Sequence, residues 1–313
     1  MSTYYTSKYG GEEIDALLDG VAVFGGATTP QGALANLGGG VRPNLLINPF
    51  FQVNQRGQTS YSGTYGVYTV DGWLLNNAET ATVNVLSNGV QIVAGTVTAQ
   101  FRQYLESLPD GVYTLSFLFT DGSLGYAVYE KSGTAYTRKD YTPSNVWGMG
   151  MQDTSGKPTA YMYVQAGMSA APVASKLESG EGQTLAYQDD TGAWQLLPQP
   201  ESDYATQLAK CQRYLAAMEE QTIVRSAYVS TDFVDFLVPI PVSFRVLPII
   251  QSAEKLVLIT QPDGAKVSGV TWSIATKSSA SVRLRASKPN IWSEGTDFSV
   301  YTDQGATFFS AEL

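Results

Sequence analysis

The chain has 313 residues, 43% of them hydrophobic and 15% charged, with a formal net charge of −9. It is long enough for two ordinary domains and apolar enough to fill their cores, while its acidity disfavours nucleic-acid backbones and anionic membrane surfaces. There is no histidine and one cysteine, Cys211, which excludes an intrachain disulfide and the usual Ser-His-Asp and Cys-His catalysts and removes the commonest zinc ligand.

The first twenty residues lack a basic end followed by an apolar core, and no apolar run reaches the roughly 18 residues that cross a bilayer. This predicts synthesis in a cytosol without a signal peptide, and no membrane insertion. Residues 1–43 read as a helical segment for attachment or oligomerisation. "GGEEIDALLDG" puts Ile14, Leu17, Leu18 and Val21 on one face. "TTPQGALANLGGG" offers Thr29 as N-cap, Pro30 at the first helical position and Gly38 as a stop. Each helix is too short to be stable alone and needs a partner, identical chains being one candidate.

From residue 44 to 197 the pattern turns to strands. "ATVNVL", "GVQIV", "VYTLSFLF", "GYAVYE" and "AYMYVQA" are separated by "SNG", "PDG", "TDG" and "TSG", which predicts an antiparallel jelly roll. Residues 198–221 predict a connecting helix, punctuated by Pro198 and Pro200 and capped by Ser202 or Asp203. Tyr204, Leu208, Cys211, Leu215 and Met218 follow at steps of four, three, four and three, a heptad-like seam and candidate oligomerisation face. On that seam Cys211 reads as a small packed residue, not a reactive thiol. Residues 222–313 read as a β-sandwich. Its clearest strand, "SVRLRAS", places Val282, Leu284 and Ala286 on one side and Arg283 and Arg285 on the other.

The fold class is therefore mainly β: short N-terminal helices, a β jelly roll, a connecting helix and a C-terminal β-sandwich. Sugar binding uses aromatic faces together with carboxylates and amides. Trp73, Trp147 and Trp272 sit in apolar patterns and read as core. Trp292 sits in "SKPNIWSEGTDF", a turn-rich loop beside Asn290, Glu294 and Asp297, with Tyr301 on the adjoining strand. These five are the candidate glycan-binding residues. The pairs Glu294/Asp297 and Asp189/Asp190 supply the residue type a glycosidase needs, but their spacing fixes no distance, and they read as solvated acids. No catalytic residue and no metal ligand is assigned. "DDTG" and "TDGS" lack the ligand series of an EF-hand, although a jelly roll has room for one structural calcium ion. "GMGMQD" lacks the third glycine of a dinucleotide loop, so no cofactor is expected.

Several segments, taken in order, carry a resemblance. "NLLINPFFQVNQRG", "YTVDGW", "ASKLESGEG", "LAKCQRY" and "VPIPVSFRVLPII" resemble a family of phage and prophage tail-fibre proteins with a galactose-binding-like jelly roll. "TTPQGALANLGGG" also resembles short helices of fibre shafts. The likeness runs from about Thr28 to Pro248. Phe50 departs from a small or acidic residue, Asn54 from an aromatic, and Gly72 from a frequent Arg that would otherwise pair with Asp71. The resemblance implies a non-enzymatic homotrimer in a virion or phage-tail-like particle. It would bind a host cell-surface glycan or protein receptor and meet other tail or baseplate proteins through its N-terminal segment. A polysaccharide-degrading fibre and a purely structural fibre or adaptor remain as alternatives.

Overall fold

The computed structural model describes residues 41–77, 79–200, 202–261, 263–289, 296–303 and 305–312. The two short helices expected within residues 1–43 fall on residues 1–40 and so lie outside the described residues. The chain is mainly β, and every strand pairing is antiparallel. It divides into two compact units. One takes the described chain to Gln52, then Gln58–Thr69 and Trp73–Ser202; the other takes Val53–Gly57, Val70–Gly72 and Asp203–Leu313.

The first unit holds β1 (Ser60–Gly63), β2 (Val67–Tyr68), β3 (Leu74–Leu75), β4 (Ala81–Leu86), β5 (Gly89–Val93), β6 (Ala99–Tyr104), β7 (Gly111–Phe119) and β8 (Leu124–Ser132). It continues with β9 (Ala135–Tyr141), β10 (Trp147–Thr154), β11 (Lys157–Val164), β12 (Ser169–Ala170), β13 (Pro172–Ser179), β14 (Ala186–Gln188) and β15 (Trp194–Leu196). Its three larger sheets run β1-β4-β5-β12, β10-β11-β6-β3-β2 and β13-β7-β8-β9. The pairings β6–β11 and β7–β13 join segments some sixty residues apart and close the sandwich.

Aromatic side chains bind the five-stranded sheet to the β7 sheet. Trp73, fully buried, stacks on Phe101 at 4.8 Å and meets Phe117 edge-on at 6.2 Å. Its indole N–H donates to the Asn48 carbonyl at 3.2 Å, as a buried Trp requires. Trp147 stacks on Phe119 at 4.6 Å. Both tryptophans are core, as their apolar patterns indicate. "GMGM" lies on the edge strand β10: Met149 and Met151 face the core, while Gly148 and Gly150 stand opposite Tyr163 and Tyr161. Those two rings lie over the glycines where side chains would otherwise project. Phe50 joins Leu118, Leu124, Ala174, Leu185 and Ala186 in a satellite core, with Trp194 packed against it.

The "ASKLESGEG" segment is a buried polar network. Lys176 and Glu178 share one face of β13, and both are fully buried. The Lys176 ammonium donates to Thr184 Oγ1 at 2.8 Å and Gln199 Oε1 at 2.9 Å. Glu178 accepts from Arg42 Nε at 3.0 Å and from the Thr184 backbone at 2.6 Å. Buried charges survive only when bonded in this way.

The second unit opens with α1 (Tyr204–Gln212), capped by Asp203, whose side chain accepts from Thr206 N at 2.8 Å. The strands are β16 (Leu215–Met218), β17 (Ile223–Val229), β18 (Phe233–Pro239), β19 (Ile249–Gln251), β20 (Leu256–Thr260), β21 (Lys266–Val267), β22 (Thr271–Lys277), β23 (Ser281–Ser287), β24 (Phe298–Thr302) and β25 (Thr307–Ser310). One sheet runs β16-β25-β19, the other β21-β20-β24-β17-β18-β23-β22. Laid flat, the seven strands would span roughly 29 Å. Yet the outermost strands β21 and β22 are joined through residues 268–270 alone, a reach of at most about 14 Å. The sheet therefore curls into a half-barrel. Phe236, Leu258, Leu284 and Val300 line its inside together with Met218 and Phe309 of the smaller sheet.

This unit corrects the expected connecting helix. The helix ends at Gln212, and Leu215–Met218 is a strand paired with β25. The carbonyls that a longer helix would use are captured: Arg245 N donates to Arg213 O at 3.1 Å, and Ala311 N to Tyr214 O at 2.6 Å. Tertiary pairing thus overrides the helical propensity of Leu-Ala-Ala-Met. The heptad-like seam does not exist as one surface. Leu215 and Met218 are buried on β16, Tyr204 is exposed and Leu208 is half-buried. Cys211 is 1% exposed, and burial pushes its thiol far above the ordinary cysteine range, consistent with a packing role. The helix also belongs to the second unit.

Gly72 lies in the left-handed region at φ 79°, where an Arg side chain would be strained. Asp71 instead accepts both the backbone and the side-chain N–H of Gln55. Its burial raises its pKa above the ordinary aspartate value, and those two bonds oppose the rise.

Candidate functional site

Asp297 and Tyr301 are the two predicted glycan-binding residues that fall within the described chain; Asn290, Trp292 and Glu294 lie outside it. Both belong to the outer side of the β24 segment. Phe298 and Val300 point into the barrel core, so the alternation sends Asp297, Ser299 and Tyr301 outward. Asp297 and Tyr301 are four residues apart, about 13 Å along a strand.

Asp297 lines a cavity of about 290 Å³ with Arg225, Ser226, Gln261 and Phe298. The cavity arises because a ladder stops. β17 pairs with β24 only from Ile223↔Tyr301 to Arg225↔Ser299. Beyond that, β17 bulges between Ser226 and Tyr228 and continues against β18. Bulges of this kind re-aim side chains beside binding sites. Phe298 N donates to Ser226 Oγ at 3.3 Å. The far wall is Gln261, which leaves β20 and donates its backbone N–H to the Asp297 carbonyl at 2.8 Å. Its side-chain amide reaches Ser299 Oγ at 3.3 Å. One guanidinium, one carboxylate, one amide and one hydroxyl thus converge on a small concavity. That set can both donate to and accept from the hydroxyls of a single sugar ring.

Tyr301 does not line this cavity. Its ring lies 6.0 Å from the Lys266 ammonium, which also contacts Asp303 at 3.3 Å. Hydrogen bonds to Tyr301 and Asp303 hold the Lys266 amine above the ordinary lysine value. A second, shallower cavity of about 570 Å³ lies along the gap where β21 and β22 approach, lined by Glu254, Lys266, Val267, Val270, Thr271 and Trp272. Trp272 is half-buried there, with its ring 6.4 Å from Phe236. The alternation that marked it as core placed it on the inward side but could not show that it borders an opening.

Two other acidic turns are accounted for locally. Asp189 accepts from Thr191 N, Thr191 Oγ1, Ala193 N and Gln195 Nε2 in the β14–β15 hairpin. Those bonds, led by the Thr191 hydroxyl, hold it below the ordinary aspartate value. Asp121 likewise accepts from Ser123 N and Oγ. Among the described residues no group of three or more His, Cys, Asp or Glu is placed to hold a metal ion, and no helix is long and apolar enough to cross a membrane.

The chain matches no protein-family model and no curated protein.

Proposed function

We propose that this chain is a receptor-binding tail-fibre protein of a phage, prophage or phage-tail-like particle that attaches to a host-surface glycan without cleaving it. The observation that carries the reading is the cavity bounded by Arg225, Ser226, Gln261 and Asp297 on the outside of the second β unit. A β scaffold that offers a few convergent polar groups suits saccharide hydroxyls, which need donors and acceptors together. The ordered resemblance of five segments to tail-fibre proteins points the same way. In that reading the assembled protein is a homotrimer, and three weak sites act together through their effective concentration. With the heptad-like seam absent, the trimer rests on the resemblance.

The test is an array of purified bacterial surface polysaccharides probed with the full chain and with a Gln261→Ala/Asp297→Ala variant. The reading expects at least one polysaccharide to be retained by the full chain and at least tenfold less by the variant. Equal retention by both proteins, or retention of none, overturns it. Shortening of the retained polymer during incubation favours the degrading fibre instead.

A further inference from the structure

The strands of the seven-stranded sheet carry five cations: Arg225, Lys266, Lys277, Arg283 and Arg285. Four are committed. Arg283 and Arg285 both bind Asp235, at 2.7 Å each; Lys266 contacts Asp303; and Lys277 donates to the Phe244 carbonyl at 2.5 Å. Arg225 makes no ion pair or hydrogen bond through its side chain with any described residue. It is exposed, and it lines the cavity.

We infer that this cavity selects an acidic sugar, with Arg225 receiving the ring carboxylate and Asp297 and Gln261 receiving hydroxyls. The inference rests on the glycan reading above and names the sugar class. A guanidinium presents two parallel N–H donors that match a carboxylate. Asp297 cannot take that role, since an ionised carboxylate only accepts. Ser299 stands opposite Arg225, and Asp297 follows two residues away on the same side. This diagonal relation separates the two backbones by about 7–8 Å, room for one pyranose ring to offer its carboxylate to one residue and its hydroxyls to the other. One cation without an ion pair among the described residues, beside one carboxylate, suits a monoanion; a dianionic phosphate would meet excess negative charge.

The test titrates the full chain with methyl β-D-glucuronide, methyl β-D-glucoside and glucose 6-phosphate by ligand-observed NMR, for the native protein, Arg225→Ala and Arg225→Lys. Arg225 is exposed, so both variants should fold, and circular dichroism verifies this. The native protein is expected to bind the glucuronide at least tenfold more tightly than the other two. Arg225→Ala should lose that preference, binding glucuronide no more tightly than glucoside, and Arg225→Lys should recover only part of it, because an ammonium lacks the paired donors. Glucoside bound as tightly as glucuronide overturns the acidic selection and leaves the glycan reading standing. Tighter phosphate binding overturns the carboxylate assignment. An unchanged preference in Arg225→Ala overturns the role of Arg225. Binding of none of the three sugars overturns the glycan reading of the cavity along with the inference.

Discussion

Asp235 and Arg285 stand directly opposite one another on β18 and β23, and the guanidinium holds both carboxylate oxygens, at 2.7 and 2.8 Å. Arg283, two residues along β23, binds the same carboxylate. Asp235 is fully buried beneath the two arginines, whose side chains remain about a third exposed. The partners are therefore unequal. Removing both arginines strands a buried charge, whereas removing the carboxylate leaves two cations that can turn to water. Arg283→Ala/Arg285→Ala should destabilise the second unit by roughly 3 kcal/mol, and Asp235→Ala by about half that. Urea denaturation followed by tryptophan fluorescence measures both; equal losses would show that burial of Asp235 does not set the balance.

Leu215 and Leu208 separate the strand from the expected seam. Leu215→Asp buries a charge beside the Ser310 strand and should unfold the second unit or lower its stability by several kcal/mol. Leu208 is half-buried on α1, so Leu208→Asp should cost about 1 kcal/mol or less. Thermal unfolding decides it. Two variants that both stay folded and merely change oligomeric state would restore the continuous helical seam.

Lys176 gives the first unit a pH signature. Burial lowers its pKa to about 8 from the ordinary 10.5, opposed by Glu178. The folded protein therefore releases this proton first, and between those values the unfolded chain holds more protons. Stability contributed by this group accordingly rises with pH across that window, by the order of 1–3 kcal/mol. Lys176→Met should remove the rise. Chemical denaturation from pH 7.5 to 10 checks it, and identical slopes in the two proteins would contradict it. Tyr129 and Tyr136, each raised to about 12 mainly by burial, add stability that is lost only as pH climbs from 10 towards 12.

Gly125 and Gly150 are both crowded by aromatic rings but should respond differently. A Cβ on Gly125 would lie 2.4 Å from the Trp147 ring, which is buried and stacked on Phe119. Gly125→Ala should cost about 1–3 kcal/mol. At Gly150 the obstacle is the far end of the half-buried Tyr161 side chain, which can swing outward, so Gly150→Ala should cost less. A melting comparison of the two variants tests the ranking.

Much of the strand content is legible in local pattern, because period-two alternation survives wherever a strand has one buried face. "SVRLRAS" is the clearest case: Val282, Leu284 and Ala286 are fully buried and the two arginines lie outward. The short helix was legible through its Asp203 cap, but its end was not. No Gly or Pro stops it; the stop comes from Arg245 and Ala311, which lie 32 and 97 residues beyond the carbonyls they capture. Part of the candidate site could be read as well. Asp297 stands out as an acid in a turn-rich loop. Arg225 does not, since a cation at an outward position of "IVRSAYV" looks like any solvated strand residue. Only the end of the β17–β24 ladder, a long-range feature, turns it into the wall of a cavity.

The most direct test of the central claim is hydrogen–deuterium exchange on the full chain, with and without the polysaccharide it retains on the array. The account predicts slower exchange in peptides spanning residues 223–229, 256–261 and 296–303, with the rest of the barrel and the first unit unchanged. Protection confined to the first unit, or no protection in any of these segments, would contradict glycan binding at this cavity.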